Sequence, residues 1–257
     1  MLELKNINKN YNPGTVNELC LFENFNLTIQ DGEFVSVIGS NGSGKTSMLN
    51  IICGTIPVDS GSILVSGTDI VNQKDYIRHR RIGRVYQDPS KGTCPSMTIL
   101  ENMSIADNKG KGYGLGRGVN KARAEHYREM LRDLNLGLEN QMETKVGSLS
   151  GGQRQTLALL MATMNPIEFL ILDEHTAALD PKTAEIIMEL TDKIVKEKKV
   201  TTIMVTHNLR YAVEYGNRIL MMHQGHAIID KSGAEKKAMQ VDDILGTFNE
   251  ISIECGN

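Results

Sequence analysis

The sequence contains no long hydrophobic run. Its longest apolar stretches, such as residues 157–164 and 169–172, are far shorter than the ~20 residues that a helix needs to cross a bilayer. The amino-terminal residues 1–6 are too charged to form the apolar core of a secretory signal. We therefore expect no export of this chain, and any path across a membrane must be built by another chain.

The sequence also lacks cysteine pairs and an excess of charge. Its cysteines, Cys20, Cys53, Cys94 and Cys255, are widely separated and form no CxxC pair, which favours free thiols over a disulfide frame or a metal site. Lys and Arg number 28 against 31 Asp and Glu, so the net charge of -3 gives no basic field for nucleic acid. A length of 257 residues suits one large domain, or one domain with a lobe.

Residues 39–46, GSNGSGKT, match the phosphate-binding loop pattern GxxxxGK(S/T). A strand is predicted before this loop, over 33–38, and a helix after it, over 45–53, which distinguishes it from a chance glycine turn. Backbone N–H groups of such a loop approach phosphate oxygens closely, and the helix amino terminus adds a favourable dipole. We expect Lys45 to reach the β- and γ-phosphates and Thr46 to ligate Mg²⁺. The other nucleotide-binding residues predicted in this loop are Ser40, Asn41, Gly42, Ser43, Gly44 and Ser47.

Residues 169–174, FLILDE, place two acidic residues after four apolar ones. This pattern predicts a buried strand whose carboxyl end emerges into a site. Paired acids after a strand can also simply cap the next helix. Beside a phosphate loop, however, Asp173 resembles the Walker B aspartate that holds Mg²⁺ through water, and Glu174 resembles the general base that orients the attacking water.

Residues 149–155, LSGGQRQ, complete a resemblance to the ATP-binding subunit of ABC transporters, which spans nearly the whole chain. In that family the signature binds the γ-phosphate of ATP held by the opposite subunit. The resemblance therefore implies this contact for Ser150, Gly151, Gly152 and Gln153. It implies that Gln87 is the Q-loop glutamine that senses Mg²⁺ and water, and that Asp180 lies in the D-loop. It also implies that His207 contacts the γ-phosphate and that Tyr11 stacks on adenine. The implied catalytic residues are Glu174, His207, Gln87 and Lys45. A lone histidine or tyrosine more often serves packing, and these residues gain meaning from occurring together in the family's order.

The order of predicted elements indicates an α/β fold. Apolar strands over 169–172, 201–205 and 218–222 alternate with helices over 182–198 and 209–215, which is the pattern of a parallel sheet with crossover helices. The family resemblance implies a P-loop NTPase (ABC ATPase) with a RecA-like mixed sheet core, an antiparallel β subdomain and an inserted helical subdomain. We predict a single ABC ATPase domain over 1–257. Its parts are a nucleotide-binding core with the β subdomain over 1–87 and 156–230, a helical and signature lobe over 88–155, and a C-terminal helical tail over 231–257.

The sequence also predicts the local structure of four segments. Glycine recurs at every second position from 110 to 118, and we predict a mobile loop over 108–118, because a glycine-rich cofactor loop would need a preceding strand. A hairpin turn is expected at 223–226, and a single terminal helix over 234–248. His175 stands where most transporter ATPases of this family have proline. It either tunes Glu174 or faces solvent, and we expect the solvent-facing position because exposed histidines are usually inert.

The resemblance implies an enzyme that hydrolyses ATP with Mg²⁺ as a homodimer. The phosphate loop covers one side of the γ-phosphate, and the signature of a second copy is needed to close the other. Residues 88–102 fall in the family's docking region for a separate transmembrane permease, which implies a location on the cytoplasmic face of the membrane.

The string DEHTAALD, over residues 173–180, is similar to a bacterial subgroup that pairs with a binding lipoprotein and a permease. Members of that subgroup take up amino acids or related small solutes. We therefore predict an importer ATPase. The alternatives are the ATPase of an exporter or lipoprotein-release system, and an iron–sulfur assembly ATPase with soluble partners.

Overall fold

The computed structural model describes residues 1–112 and 118–254, with side chains as far as residue 251. Its contacts divide the chain into two compact units. The first unit comprises Met1–Gln73 and Thr201–Asn257, and the second unit comprises Lys74–Val200. The lobe predicted over 88–155 remains a prediction. Of the glycine-rich loop predicted over 108–118, residues 113–117 lie outside the described residues.

Strands and helices follow one another along the described chain. The strands are β1 (Leu2–Tyr11), β2 (Leu19–Ile29), β3 (Phe34–Gly39), β4 (Ser60–Val65), β5 (Thr68–Asp69), β6 (Ile82–Val85), β7 (Phe169–Asp173), β8 (Thr201–Val205), β9 (Arg218–His223) and β10 (His226–Ser232). The α-helices are α1 (Lys45–Cys53), α2 (Asp75–Arg78), α3 (Ile99–Asp107), α4 (Ala124–Arg132), α5 (Gly151–Thr163), α6 (Pro181–Lys198), α7 (Leu209–Glu214), α8 (Gly233–Ala238) and α9 (Val241–Glu254). Short 3-10 helices lie at Pro89–Lys91, Lys121–Arg123, Leu138–Asn140 and Val146–Ser148. None of the described helices is both long enough and apolar enough to cross a membrane.

An antiparallel sheet with the strand order β2-β1-β4-β5 lies in the first unit. Leu2, Leu4 and Ile7 of β1 are buried, so one face of this strand is turned to the core. Strict alternation would place Leu4 and Ile7 on opposite faces. The register shifts between them, and Asn6 takes a φ of 49° there, so a bulge returns Ile7 to the buried face.

A mixed sheet with the order β10-β9-β3-β8 also lies in the first unit. β3 runs parallel to β8 and β9, whereas β9 and β10 pair antiparallel. Every residue of β3 and β8 is buried, and strands covered on both faces need no polar alternation, which explains why Ser36, Thr201 and Thr202 are their only hydrophilic residues. The hairpin turn predicted at 223–226 is confirmed by the pairing of His223 with His226.

The prediction of a single terminal helix over 234–248 is wrong. The chain forms α8 and α9 instead, and Met239 between them has extended backbone angles. Met239 is buried in the same core cluster as Ile38 and Ile244, so packing its side chain interrupts the helix. The backbone N–H of Gln240 then donates to the Asp243 carboxylate at 2.8 Å, which satisfies a free donor at the start of α9.

The second unit joins the parallel strands β6 and β7 to helices α2 to α6. Its helical core gathers Ile99, Leu100, Met103, Tyr127, Leu131, Leu134, Leu138, Met142, Val146, Leu149, Leu157 and Leu160. Helix α4 ends at Arg132, and the chain turns through Asn135 at a φ of 54°. The predicted helical character of this region is confirmed.

Candidate nucleotide-binding and hydrolysis site

The phosphate loop in the first unit requires glycine at two positions. A Cβ at Gly39 would lie 2.2 Å from the Met222 carbonyl oxygen, and the φ of this residue is 149°. A Cβ at Gly44 would lie 2.9 Å from the Phe22 ring, at a φ of 101°. A larger residue at either position would overlap these neighbours and force the loop that leads into α1 to move. Glycine here therefore sets the path of the backbone and is not merely tolerated.

Lys45 begins α1 and is buried inside the loop that precedes it. Its Nζ donates to the carbonyl oxygens of Gly39 and Ser40, each at 2.8 Å, and lies 3.4 Å from Ser43 Oγ. These neutral contacts hold a positive charge at the amino terminus of a helix. Thr46, the next residue, is exposed. A loop of this form suits the binding of an anion such as a phosphate group.

Two parallel strands bring His207 to the same sheet edge as the phosphate loop. Val37 of β3 lies opposite Val205 of β8, and both strands run in the same direction. The loop continues from the end of β3, and His207 follows the end of β8 by two residues. The Thr206 N–H donates to the Val37 carbonyl at 3.1 Å, and Asn208 caps α7, so His207 is fixed on both sides.

Tyr11 ends β1 and is half-buried. The Nζ of Lys9 lies 5.4 Å from the centroid of its ring and also donates to Asp59 at 3.0 Å. The chain turns directly afterwards at Asn12, whose φ is 51°. The ring is thus partly accessible at a strand end, and its stacking on adenine stays a prediction.

In the second unit, Asp173, Glu174 and Gln87 emerge at the ends of adjacent strands. Val85 of β6 lies opposite Leu172 of β7 in a parallel pair, so the two chains leave the sheet at the same edge. Gln87 is exposed, whereas Asp173 and Glu174 are half-buried. The sequence predicted that Asp173 and Glu174 follow a buried strand, but not that Gln87 follows the neighbouring one.

Glu174 has an unusual backbone conformation. Its φ is 49°, in the left-handed region, where a residue other than glycine is strained by roughly 1–3 kcal/mol. The Ala177 N–H donates to the Glu174 carbonyl at 3.0 Å and closes the turn. Strain of this kind concentrates at active sites, where the surrounding structure maintains it.

The signature begins α5 with a capping box. Ser150 is the exposed N-cap residue, its Oγ accepts from the Gln153 N–H at 3.2 Å, and its own N–H donates to Gln153 Oε1 at 3.1 Å. The Ser-x-x-Gln spacing thus satisfies two helix-end donors and fixes both side chains. The signature presents the amino terminus of a 13-residue helix at the surface of the second unit.

The signature and the D-loop meet at one threonine. A Cβ at Gly152 would lie 2.4 Å from Thr183 Cγ2, so only glycine allows this approach of α5 to α6. The Thr183 N–H donates to Asp180 Oδ1 at 3.0 Å, and Asp180 caps α6. Hydrogen bonds from the side chain and the backbone of Thr183 lower the pKa of the Asp180 carboxyl.

The prediction that His175 faces solvent is wrong. Only 2% of this residue is exposed, and its Nε2 lies 3.3 Å from Thr191 Oγ1 on α6. The Thr191 hydroxyl donates to the Ile187 carbonyl at 2.7 Å, so it accepts from the imidazole, which places the ring proton on Nε2. Burial lowers the pKa of His175 to about 4 and keeps it neutral. A buried hydroxyl as partner is what makes the inward position favourable.

The residues at these positions suit Mg²⁺ bound with a nucleotide. Carboxylate and amide oxygens, as on Asp173 and Gln87 of the second unit, suit this cation, and so does a hydroxyl oxygen, as on Thr46 of the first unit. Within the described residues, no group of three or more His, Cys, Asp or Glu side chains is arranged so that it could hold a metal ion. Mg²⁺ typically takes one or two protein ligands and completes its shell with phosphate oxygens and water, so a dedicated protein cage is not required.

A model of the protein family described as ABC transporter matches residues 22–177, which is more than half of the chain. The chain belongs to this family. A tyrosine transport ATP-binding protein of Clostridioides difficile is 48% identical to it over 250 residues, which cover 96% of this chain and 98% of the relative. The spermidine/putrescine import ATP-binding protein PotA of Haemophilus influenzae is 34% identical over 235 residues, and the match covers 91% of this chain and 59% of PotA.

Solved structures agree with this assignment. The ATP-binding cassette MJ0796, in a dimeric post-hydrolysis structure bound to ADP and Pi, is 33% identical to this chain with a TM-score of 0.76, over 90% of this chain and 98% of the cassette. The cassette MJ1267 in its ADP conformation has a TM-score of 0.81 at 24% identity, over 100% and 99% of the two chains, and supports the fold. This chain is therefore an ATP-binding subunit of an ABC transporter, an ATPase with the predicted ABC ATPase fold.

Sequence reasoning missed two polar residues beside these motifs. Arg84 forms an ion pair with Asp173, and buried Gln155 on α5 donates to the Tyr86 carbonyl at 2.9 Å. A signal for Arg84 was present, since it is the charged residue of the otherwise apolar β6.

Proposed function

We propose that this ATPase acts as a homodimer at the cytoplasmic face of the membrane and drives the import of an amino acid or similar small solute through a separate permease. The main reason for proposing a dimer is that the capped start of α5 is exposed. Ser150, Gly151 and Gly152 form a helix amino terminus at a surface, and such a terminus favours negative charge. In a second copy, this surface would close the γ-phosphate side of the first copy's nucleotide.

Each of these residues has a separate role in ATP binding or hydrolysis. Lys45 and the phosphate-loop N–H groups bind the β- and γ-phosphates, and His207 contacts the γ-phosphate from the adjacent strand end. Glu174 accepts the proton of the attacking water. Mg²⁺, held by Thr46, Gln87 and Asp173, would neutralise charge that develops on the phosphate oxygens. Closure of the dimer excludes bulk water and strengthens each of these electrostatic contacts.

A cavity in the second unit supports the docking of a permease. It has a volume of about 520 Å³ and lies beside Tyr86, the residue before Gln87. Exposed Tyr76 and Ile105 give it an apolar rim. Arg80 and Lys91 are among its basic lining residues, and none of its described lining residues is acidic. An amphipathic helix with acidic residues is the kind of partner that suits this surface.

The direction and solute are proposed from the relatives. The 48% identical protein is described as a tyrosine transport protein, and the 34% identical one as a spermidine/putrescine import protein. The second description favours import, and both descriptions name small nitrogenous solutes. The closer similarity over the whole chain favours an amino acid, and an extracytoplasmic binding lipoprotein would deliver it.

Reconstitution tests the proposal. The chain is purified with a permease that binds it, inserted into lipid vesicles, and assayed for ATP-dependent movement of labelled tyrosine. We expect tyrosine to move from the side of the membrane that holds the binding protein to the side that holds the ATPase. This movement should depend on the binding protein, and Glu174→Gln should abolish it. Outward movement would identify an exporter, and purification with soluble iron–sulfur assembly proteins alone would refute a transport role.

A further inference from the structure

Arg84 joins the two strands that carry the predicted Mg²⁺ ligands of the second unit. It lies on β6 with only 6% of its side chain exposed, and its Nη2 donates to Asp173 Oδ2 on β7 at 2.8 Å. The Asp173 side chain is 13% exposed, so both charges are largely removed from water. Burying such a pair costs desolvation free energy, and a hydrophobic pair of similar size often gives at least equal stability. Stability alone is therefore a weak reason for an arginine at this position.

The same guanidinium also contacts the residue that precedes Gln87. It stacks on the Tyr86 ring, with the Arg84 Cζ 4.6 Å from the ring centroid. The Tyr86 carbonyl accepts from Gln155 Nε2 at 2.9 Å. Tyr86 is thus fixed at its ring and at its backbone, and Gln87 leaves the sheet from a restrained position.

We propose that Arg84 is a positioning residue for Mg²⁺. It holds Asp173 of β7 directly and holds Gln87, after β6, through Tyr86. Both side chains are thereby kept in the arrangement that ligates the cation. A planar guanidinium bound to one carboxylate oxygen fixes the plane in which the other oxygen lies. Neighbouring groups that orient metal ligands in this way change metal affinity by roughly 10–100-fold when they are lost. The inference rests on the proposed function, because it takes Asp173 and Gln87 as Mg²⁺ ligands.

The chain offers a matched control for the pairing of these strands. Arg81, just before β6, forms an ion pair with Glu168, just before β7. Arg81 Nη2 lies 2.6 Å from Glu168 Oε2, so this pair joins the same two strands at their opposite ends. A loss of strand pairing would follow from either substitution, whereas a loss of metal positioning would follow only from a change at Arg84.

The test uses the full chain with Arg84→Met, Arg84→Lys and Arg81→Met. Mn²⁺, as a spectroscopic substitute for Mg²⁺, is titrated by electron paramagnetic resonance with a non-hydrolysable ATP analogue. Affinity for the analogue is measured separately in EDTA. We expect Arg84→Met to weaken Mn²⁺ binding about tenfold or more, and analogue binding in EDTA to change less than about twofold. Arg84→Lys should fall between, since it keeps the charge without the planar fork. Arg81→Met should leave Mn²⁺ affinity unchanged.

Three results would overturn the inference. Wild-type or tighter Mn²⁺ affinity in Arg84→Met would show that Arg84 does not position the ligands. Equal losses in Arg84→Met and Arg81→Met would mean that the pair only joins the strands. If Arg84→Met does not fold, Tyr86→Leu takes its place, and unchanged Mn²⁺ affinity there, together with wild-type affinity in Arg84→Lys, would refute the proposal. Failure of the wild-type protein to bind Mn²⁺ with the analogue would instead refute the metal roles of Asp173 and Gln87, on which the inference rests.

Discussion

The buried histidine makes the stability of this protein depend on pH in a defined way. His175 has a pKa of about 4 when folded, against the ordinary value of 6.5 that applies to the unfolded chain. Below about pH 6.5 the unfolded chain therefore binds a proton that the folded chain does not. The free energy of unfolding should fall by about 1.4 kcal/mol per pH unit in this window, and by about 3 kcal/mol in total once the pH is below the folded pKa.

The substitution His175→Gln removes this dependence. Glutamine keeps an N–H donor for Thr191 Oγ1, and it does not titrate. Urea unfolding of both proteins at neutral pH and at about pH 4.5, followed by circular dichroism, gives the two free energies of unfolding. Between these conditions we expect the wild-type protein to lose about 2 kcal/mol more than His175→Gln, because this is the share of the proton linkage completed by then.

A control and a refuting outcome complete this experiment. His126 on α4 is exposed, so His126→Gln should follow the wild-type protein at both pH values. Parallel losses of stability in the wild-type protein and His175→Gln would show that His175 is accessible to protons in the folded state. The reasoning from burial would then be refuted.

The other predictions concern the motifs. Glu174→Gln should bind ATP normally, lose turnover by at least about 100-fold because the base is gone, and accumulate as an ATP-bound dimer in size-exclusion chromatography; a monomer that hydrolyses ATP would contradict the assignment. Ser150→Arg should block hydrolysis without weakening ATP binding to the isolated subunit, because a long side chain obstructs the exposed start of α5, whereas Ser150→Ala should cost only about 1 kcal/mol of stability through the lost cap. Undiminished turnover in Ser150→Arg would mean that the signature does not act on a second copy. Gly152→Ala should lower the free energy of unfolding by about 1–3 kcal/mol, because its Cβ would overlap Thr183 Cγ2, and adding Thr183→Ser should restore most of the loss; no restoration would place the strain elsewhere.

Elements with strong local signals were predictable from the sequence. The bounds predicted for α1 and β8 match the structure, because a glycine loop fixes the start of α1 and β8 is a short run of threonine and apolar residues that polar Thr206 and His207 follow. The run of four apolar residues before Asp173 and Glu174 also predicted the buried strand that the structure has as β7. The terminal helix was not predictable, because its apolar periodicity continues through Met239 although the backbone breaks there.

Pairings between distant residues were beyond the reach of the sequence. The burial of His175 depends on a hydroxyl 16 residues away on α6, and a local pattern does not reveal that partner. The ion pair between Arg84 and Asp173 spans 89 residues and exists because β6 and β7 are adjacent in the sheet. Only strand order, which the motifs did not specify, brings these side chains together.

The left-handed backbone at Glu174 constrains how this position can change. Glycine and asparagine adopt such a backbone most readily but carry no carboxylate, and aspartate, which also tolerates it, holds its carboxylate on a side chain one methylene group shorter. Substitutions that relieve the backbone would therefore remove the proposed base or withdraw it from its position. Conformational ease and chemistry make opposite demands on one residue, so a search for stabilising substitutions in this protein should be expected to select inactive variants at position 174.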